Sequence, residues 1–168
     1  MKKNLFAWAS ISEKGTVNGI PGNQTGSELK VANYYNFGQT HCIRLKNISK
    51  RKKMAKIAKE LAKDSRIGYG QSDRNTLYLQ AMAANWNFEK LKKKMKKCNT
   101  DCSSFASVCL NLAYGTKVWD CGVFTGNMID KAKADPKKFS VLKIRDAEKA
   151  FKKGDMVIKS YSHVIINV

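Results

Sequence analysis

The chain has 168 residues, enough for one domain to bury about two thirds of its unfolded surface, so folding needs no disulfide framework. Its 32 Lys and Arg against 13 Asp and Glu give a formal net charge of +19, which predicts a polyanionic partner: nucleic acid, anionic lipid or an anionic cell-wall polymer. Five irregularly spaced cysteines leave at least one thiol unpaired within the chain and favour a reducing cytosol.

The N-terminal segment, residues 1–48, predicts hairpin and loop structure packed on the core. It is rich in Gly, Asn and Thr, and its piece "HCIRL" alternates like a strand. The apolar stretch near Met1 has only about five residues, fewer than the roughly 7–15 of a signal-peptide core. No apolar run approaches the about 20 residues of a membrane span. We therefore expect no membrane span and synthesis in the cytoplasm without a signal peptide.

Helices are expected in the middle of the chain. Residues 49–63 combine apolar residues at helical spacing with a lysine face, and Ser49 can cap this helix. The stretch "IGYGQSD", residues 67–73, is typical of a turn, and residues 74–86 return to helical periodicity. Six lysines follow between Lys90 and Lys97; such a run is commonly a solvated face, with a dedicated anion-binding patch as the alternative.

The C-terminal part adds two strand-like stretches, "FSVLKI" and "MVIKSYSHVIINV", around a short helical stretch. The mixture predicts an α+β fold in which helices pack on a small antiparallel sheet. We expect residues 1–168 to form a single domain.

Cys102 stands where a helix begins. Phe105, Val108, Cys109 and Leu112 follow at intervals of three and four, and the preceding residues, Asp101 among them, can cap the helix. The first turn of a helix favours thiolate over thiol, and its free amide groups can bind an oxyanion. Cys102 is therefore a candidate nucleophile, with a buried structural cysteine as the alternative.

A thiol nucleophile needs a base, and the chain has only two histidines, His41 and His163. His163 lies in a strand-like segment near the end, whereas His41 lies in the Gly-rich N-terminal region. A strand histidine facing a helix-borne cysteine is a known catalytic pairing, so we favour His163. A zinc site is disfavoured, because no Cys-x-x-Cys pair is present.

The segments "TDCSSFASVCLNLAYG" and "FKKGDMVIKSYSHVIINV" resemble the NlpC-like peptidoglycan hydrolases of the papain-like superfamily, particularly phage and prophage endolysins. In that family an Asp-Cys-Ser motif opens the catalytic helix, and a Gly-Asp turn precedes the strands that carry the histidine. The resemblance implies a papain-like NlpC-type fold, Cys102 as nucleophile, His163 as general base, and no metal or cofactor.

The family usually orients its histidine with a third polar residue on the following strand, but only five residues follow His163. Asn167 lies on the same face, yet about 13 Å away. Gln24 is the preferred alternative, with a plain turn glutamine as its rival interpretation. Four further residues are candidates for lining the substrate cleft, although each has a structural alternative: Asp101, Ser103, Tyr69 and Arg74.

The resemblance implies a monomeric endolysin that cleaves an amide bond of the stem peptide, binds peptidoglycan and anionic wall polymers, and reaches the wall after release by a partner such as a holin. Which bond is cut stays open: the N-acetylmuramoyl-L-alanine amide, a D-glutamyl bond or a cross-bridge. Two rival functions also stay open. One is a papain-like protease or toxin acting on proteins; the other is a nucleic-acid-binding protein, disfavoured because the basic runs lack interleaved aromatics.

Overall fold

The computed structural model describes residues 4–11 and 17–168. The strands and helices follow one another in a mixed order that begins and ends with strands. In chain order they are β1 (Leu5–Ala9), β2 (Leu29–Asn33), β3 (His41–Leu45), α1 (Ile48–Leu61), β4 (Ile67–Tyr69), α2 (Thr76–Ala83), α3 (Phe88–Lys94), β5 (Cys98–Thr100), α4 (Cys102–Tyr114), α5 (Met128–Ala134), β6 (Phe139–Lys143), α6 (Ile144–Ala147), β7 (Met156–Lys159) and β8 (His163–Asn167).

A six-stranded sheet in the order β2-β1-β8-β7-β3-β6 forms the centre, and every pair in it is antiparallel. The prediction of an α+β fold with an antiparallel sheet is confirmed. The first and last strands are neighbours, because Phe6 pairs with Asn167 and Ala7 with Ile166. The sheet therefore draws its strands from both ends of the chain.

Alternation along the strands gives the sheet two apolar faces. Val164 and Ile166 of β8 join the main core with α1 and α4, whereas Ile165 joins a smaller cluster with Phe6 and Trp8 on the other face. Helix α4 is buried along nearly its whole length, as expected for a helix enclosed by sheet and helices. Its first turn is consequently fixed within the core.

Helix α1 buries the predicted apolar positions, including Met54, Ile57 and Leu61. Its cap differs from the prediction: the side chain of Asn47, not Ser49, accepts the backbone N–H of Lys50 at 3.0 Å. Asparagine caps a helix as effectively as serine, so the sequence did not show that the helix begins after Asn47 instead of Ser49. None of the helices in residues 4–11 and 17–168 is long and apolar enough to cross a membrane.

The segment expected to be a turn contains strand β4, which pairs in parallel with β5. Its glycines have a packing reason. A Cβ at Gly68 would lie 2.1 Å from the carbonyl oxygen of Gly22, so the N-terminal loop packs directly on this strand. The Gly-rich composition that indicated a turn thus reflects close backbone approach.

Candidate functional site

Cys102 is the first residue of α4 and directly follows strand β5. Asp101 caps the helix, since its Oδ1 accepts the backbone N–H of Ser104 at 2.7 Å. This is the predicted arrangement of cap and cysteine. With the Ser104 amide occupied, the amides of Cys102 and Ser103 are the two N–H groups of the first turn that no backbone or side-chain oxygen accepts within the described parts of the chain.

Arg74, Asp101 and Ser103, three of the predicted cleft residues, form one network beside Cys102. The Arg74 guanidinium donates to Asp101 Oδ2 at 2.5 Å and to Ser103 Oγ at 2.8 Å. It also donates to the carbonyl oxygen of Val123 at 2.8 Å, which ties the loop before α5 to the start of α4. The network neutralises the capping carboxylate and fixes the helix start against two loops.

The Cys102 side chain is buried, with only 7% of the residue exposed. Burial raises the pKa of the Cys102 thiol to about 12, and the Asp101 carboxylate acts in the same direction. Backbone N–H groups of Val164 and Ser103, together with Arg74, lower it only in part. The expected thiolate is therefore not the resting form, because desolvation outweighs the helix terminus.

His163 opens strand β8, and the N–H of the next residue, Val164, interacts with the Cys102 sulfur. The imidazole packs edge-on against Phe37, with ring centroids 5.4 Å apart. Burial lowers the pKa of His163 to about 4, and its buried Nε2 has no hydrogen-bond partner among the described residues. Thiol and imidazole are thus both neutral at neutral pH, on adjoining elements.

His41 lies elsewhere. It begins β3, separated from β8 by β7, and its imidazole contacts Thr40 Oγ1 at 2.9 Å and Lys143 Nζ at 3.2 Å. These contacts belong to the β3–β6 side of the sheet. The sheet order places His41 two strands away from His163, and the choice of His163 as the base stays a prediction.

Tyr69, at the end of β4, is buried close to the same network. Burial raises the pKa of Tyr69, the hydrogen bond from Gln71 opposes this rise, and the negative charge of Asp101 adds to it. Its hydroxyl accepts a hydrogen bond from Gln71 Nε2 at 3.1 Å. The structure thus brings the predicted cleft residue Tyr69 to the start of α4.

Gln24 is not brought to His163. It is exposed, and its side-chain amide donates to the carbonyl of Ile20 and lies against Gly19 within its own loop. That loop is held to β5 by the Gly22 N–H, which donates to the Cys98 carbonyl at 3.1 Å. A turn glutamine, the rival interpretation, describes these contacts better than an orienting partner of the imidazole.

Exposed aromatic residues that the sequence reasoning missed flank the site. Tyr35 packs on Phe37, the ring that contacts His163, with centroids 5.4 Å apart. On the other side Tyr161 packs on Phe124 at 5.9 Å, in the turn before β8. Tyr161 has a φ of 57°, which is unusual for an aromatic residue. In the sequence these aromatic residues lie close to turns, where no helical or strand periodicity distinguishes them from their neighbours.

No three His, Cys, Asp or Glu side chains within residues 4–11 and 17–168 lie together in an arrangement that could hold a metal ion. No curated protein and no solved structure matches the chain. A family model, that of the endolysin-like domain, matches residues 6–168. That description suggests a phage-type lytic function acting on the cell wall. Because the match spans nearly the full sequence, the chain belongs to the family of endolysin-like domains.

Proposed function

We propose that this protein is a papain-like, NlpC-type cysteine hydrolase that cleaves an amide bond in the stem peptide of peptidoglycan. The observation that carries the proposal is the position of Cys102 at the capped start of α4, against the strand that His163 opens. This junction lies within the endolysin-like match, so a hydrolase of the cell wall is the activity that the chemistry fits.

The first step follows from the neutral pair. The His163 imidazole removes the proton from the Cys102 Sγ as the sulfur attacks the carbonyl carbon of the scissile amide. A preformed ion pair is not needed, because the lowered pKa of His163 and the raised pKa of Cys102 keep both groups neutral until substrate arrives. Substrate binding and proton transfer are then coupled.

The oxyanion that forms on the carbonyl is stabilised by the start of α4. The amides of Cys102 and Ser103 are the donors left over by the Asp101 cap, and the positive end of the helix dipole adds to them. The protonated His163 then gives its proton to the leaving amine, and an acyl-thioester remains on Cys102. Water, deprotonated by His163, hydrolyses the thioester and regenerates the thiol.

The charge of +19 favours retention on the anionic wall, which raises the local concentration of substrate. The partners in this proposal are peptidoglycan and anionic wall polymers, with the protein acting as a monomer. It would be made in the host cytoplasm and reach the wall after release.

Purified sacculi test the proposal. Cys102→Ala should abolish the release of new amino termini while its circular dichroism spectrum stays unchanged. Cys121→Ser alters an exposed thiol but keeps the backbone carbonyl that Arg74 contacts, so it should retain activity. Lysis by folded Cys102→Ala protein would refute the nucleophile, and identification of the new terminus by mass spectrometry would define which bond is cut.

Alkylation by iodoacetamide tests the protonation state. A neutral thiol predicts a rate that keeps rising with pH through the neutral range, because the thiolate fraction grows about tenfold per pH unit below the pKa. A preformed thiolate would instead give a rate that is flat across neutral pH. The experiment uses the Cys121→Ser variant, so that the exposed thiol does not contribute.

A further inference from the structure

A cavity of about 530 Å³ lies at the other end of α4 from Cys102. It is lined by Lys53 and Lys56 of α1, by Asn85 and Trp86 between α2 and α3, and by Gly115, which follows the last residue of α4. The carboxylate residue Glu89 of α3 also lines the cavity, but it forms no ion pair with either lysine. Helix α4 has 13 residues, so its two ends are about 20 Å apart. The cavity is therefore separate from the candidate catalytic site.

Basic residues occupy the N-terminal turns of α1, where the helix dipole disfavours positive charge. Lys50, Arg51, Lys52 and Lys53 crowd its first turns, which contain no acidic residue. Cations at a helix N-terminus oppose the helix dipole and cost stability. No ion pair within the described residues compensates Lys53 or Lys56. An unfavourable, unpaired cluster of this kind is consistent with an external anion as its partner.

The wall opposite these lysines is strained and fixed. Asn85 and Trp86 have φ values of 54° and 55°, two consecutive left-handed residues of which tryptophan is a poor occupant. The Trp86 indole is held edge-on against Tyr78, with centroids 5.0 Å apart. This backbone presents an aromatic ring and the Asn85 amide to the same cavity as the lysines.

A second, smaller cavity of about 160 Å³ lies beside the first on a neighbouring side of α1. It shares Lys56 with the first and adds Lys52, Lys59 and Lys153. The two together make a basic path several side chains long, which we call the α1 groove. A ligand that fills it needs more than one negative charge, because the lysines are spread over two neighbouring cavities.

We propose that the α1 groove binds a polyol-phosphate polymer of the cell wall, with repeating phosphodiesters on the lysines and the uncharged polyol against Trp86 and Asn85. Lysine binds phosphate as a point charge without a fixed geometry, which suits a flexible polymer. This proposal rests on the proposed wall hydrolase function and assigns its anchoring to a surface remote from Cys102. Duplex nucleic acid is the competing polyanion.

The test measures binding to soluble poly(glycerol phosphate) at low salt. Lys53→Gln/Lys56→Gln should weaken binding about tenfold and flatten its dependence on salt. Lys133→Gln/Lys149→Gln removes the same charge from exposed positions outside the groove and should change binding less than twofold. Equal losses of polymer binding in the two double variants would show a general charge effect and would refute the α1 groove as the binding site.

Two further arms complete the experiment. Walls stripped of their phosphate polymers should bind the wild type and the groove variant alike; a persisting difference would overturn the polymer as ligand. The groove would instead be a nucleic-acid site if the wild type bound duplex DNA more tightly than the polymer and the groove variant lost this DNA binding. Hydrolysis of a small stem-peptide analogue is measured separately. Its absence in the wild type would refute the proposed function, whereas its retention without polymer binding would refute only the groove.

Discussion

The two ends of α4 differ in charge and in exposure to solvent. At its start the Asp101 carboxylate is paired with Arg74, and Cys102 is buried beside it as a neutral thiol. At its end, Gly115 borders a cavity whose lysines face solvent without an ion pair among the described residues. One helix thus separates a dry site suited to proton transfer from a wet surface suited to long-range attraction.

The difference teaches how a chain with a charge of +19 can keep Cys102 and His163, the candidate reactive pair, neutral. A lysine beside Cys102 would favour the thiolate, and a lysine beside His163 would disfavour its protonation during catalysis. Lys159 is the cross-strand partner of His163, but its side chain is exposed, and burial is what lowers the pKa of His163. Arg74, the cation beside Cys102, is paired with Asp101. Substitutions at the Cys102 end should therefore leave polymer binding intact, and substitutions in the α1 groove should leave hydrolysis of a small substrate intact.

The largest expected effect is at the neutral pair. His163→Ala should lower the rate of wall hydrolysis by about 100- to 10,000-fold, because the general base is lost. Alkylation of Cys102 should slow as well. His41→Ala is the matched control and should retain most activity, since its imidazole lies on the β3–β6 side of the sheet, next to Thr40 and Lys143. The reverse pattern in a sacculus assay would show that the other histidine is the base.

The buried imidazole should also leave a signature in stability. Its folded pKa of about 4 lies below the ordinary 6.5, so protons bind the unfolded chain more tightly. Stability is therefore retained above pH 6.5 and lost as the pH falls through the folded pKa, by about 3 kcal/mol in total. Urea unfolding of the wild type and of His163→Gln should diverge by this amount on acidification; parallel curves would contradict the burial of a neutral imidazole.

A smaller effect is expected at the ion pair. Arg74→Ala should lower kcat/KM about tenfold, since an uncompensated Asp101 opposes charge development near Cys102 and frees the loop at Val123. Arg66→Ala is its control, because Arg66 also bridges a carboxylate, Asp64, and backbone carbonyls. It should reduce the melting temperature without changing kcat/KM. Equal kinetic losses would assign Arg74 a merely structural role.

The smallest effect is expected at the lysine run of residues 90–97. Lys92 already pairs with Glu60 at 2.9 Å and lies over the Phe88 ring, so part of this run is engaged within the protein. Lys93→Gln/Lys94→Gln should weaken wall binding less than twofold. A loss as large as that of the groove variant in co-sedimentation would return the run to its role as an anion-binding patch.

Sequence periodicity predicted the features of the fold that are determined within a single segment of the chain. The buried face of α1 and the helix beginning at Cys102 were predicted, because apolar spacing reports the packed side of a helix. Strands β4 and β5 were missed because each has three residues and exists through pairing with the other. The protonation state of Cys102 was missed for a related reason: its burial depends on the packing of α4 against β8, a strand about 60 positions further along the chain.

The pairing of β1 with β8 has a consequence for the order of assembly. Phe6 and Asn167 must meet across nearly the whole chain, and closing so long a loop slows folding. The strand that carries His163 docks between β1 and β7, so Cys102 acquires its enclosing neighbours only when that strand is in place. Before that strand docks, the Cys102 thiol has no histidine beside it, so the proposed chemistry depends on the contact between β1 and β8 that completes the sheet.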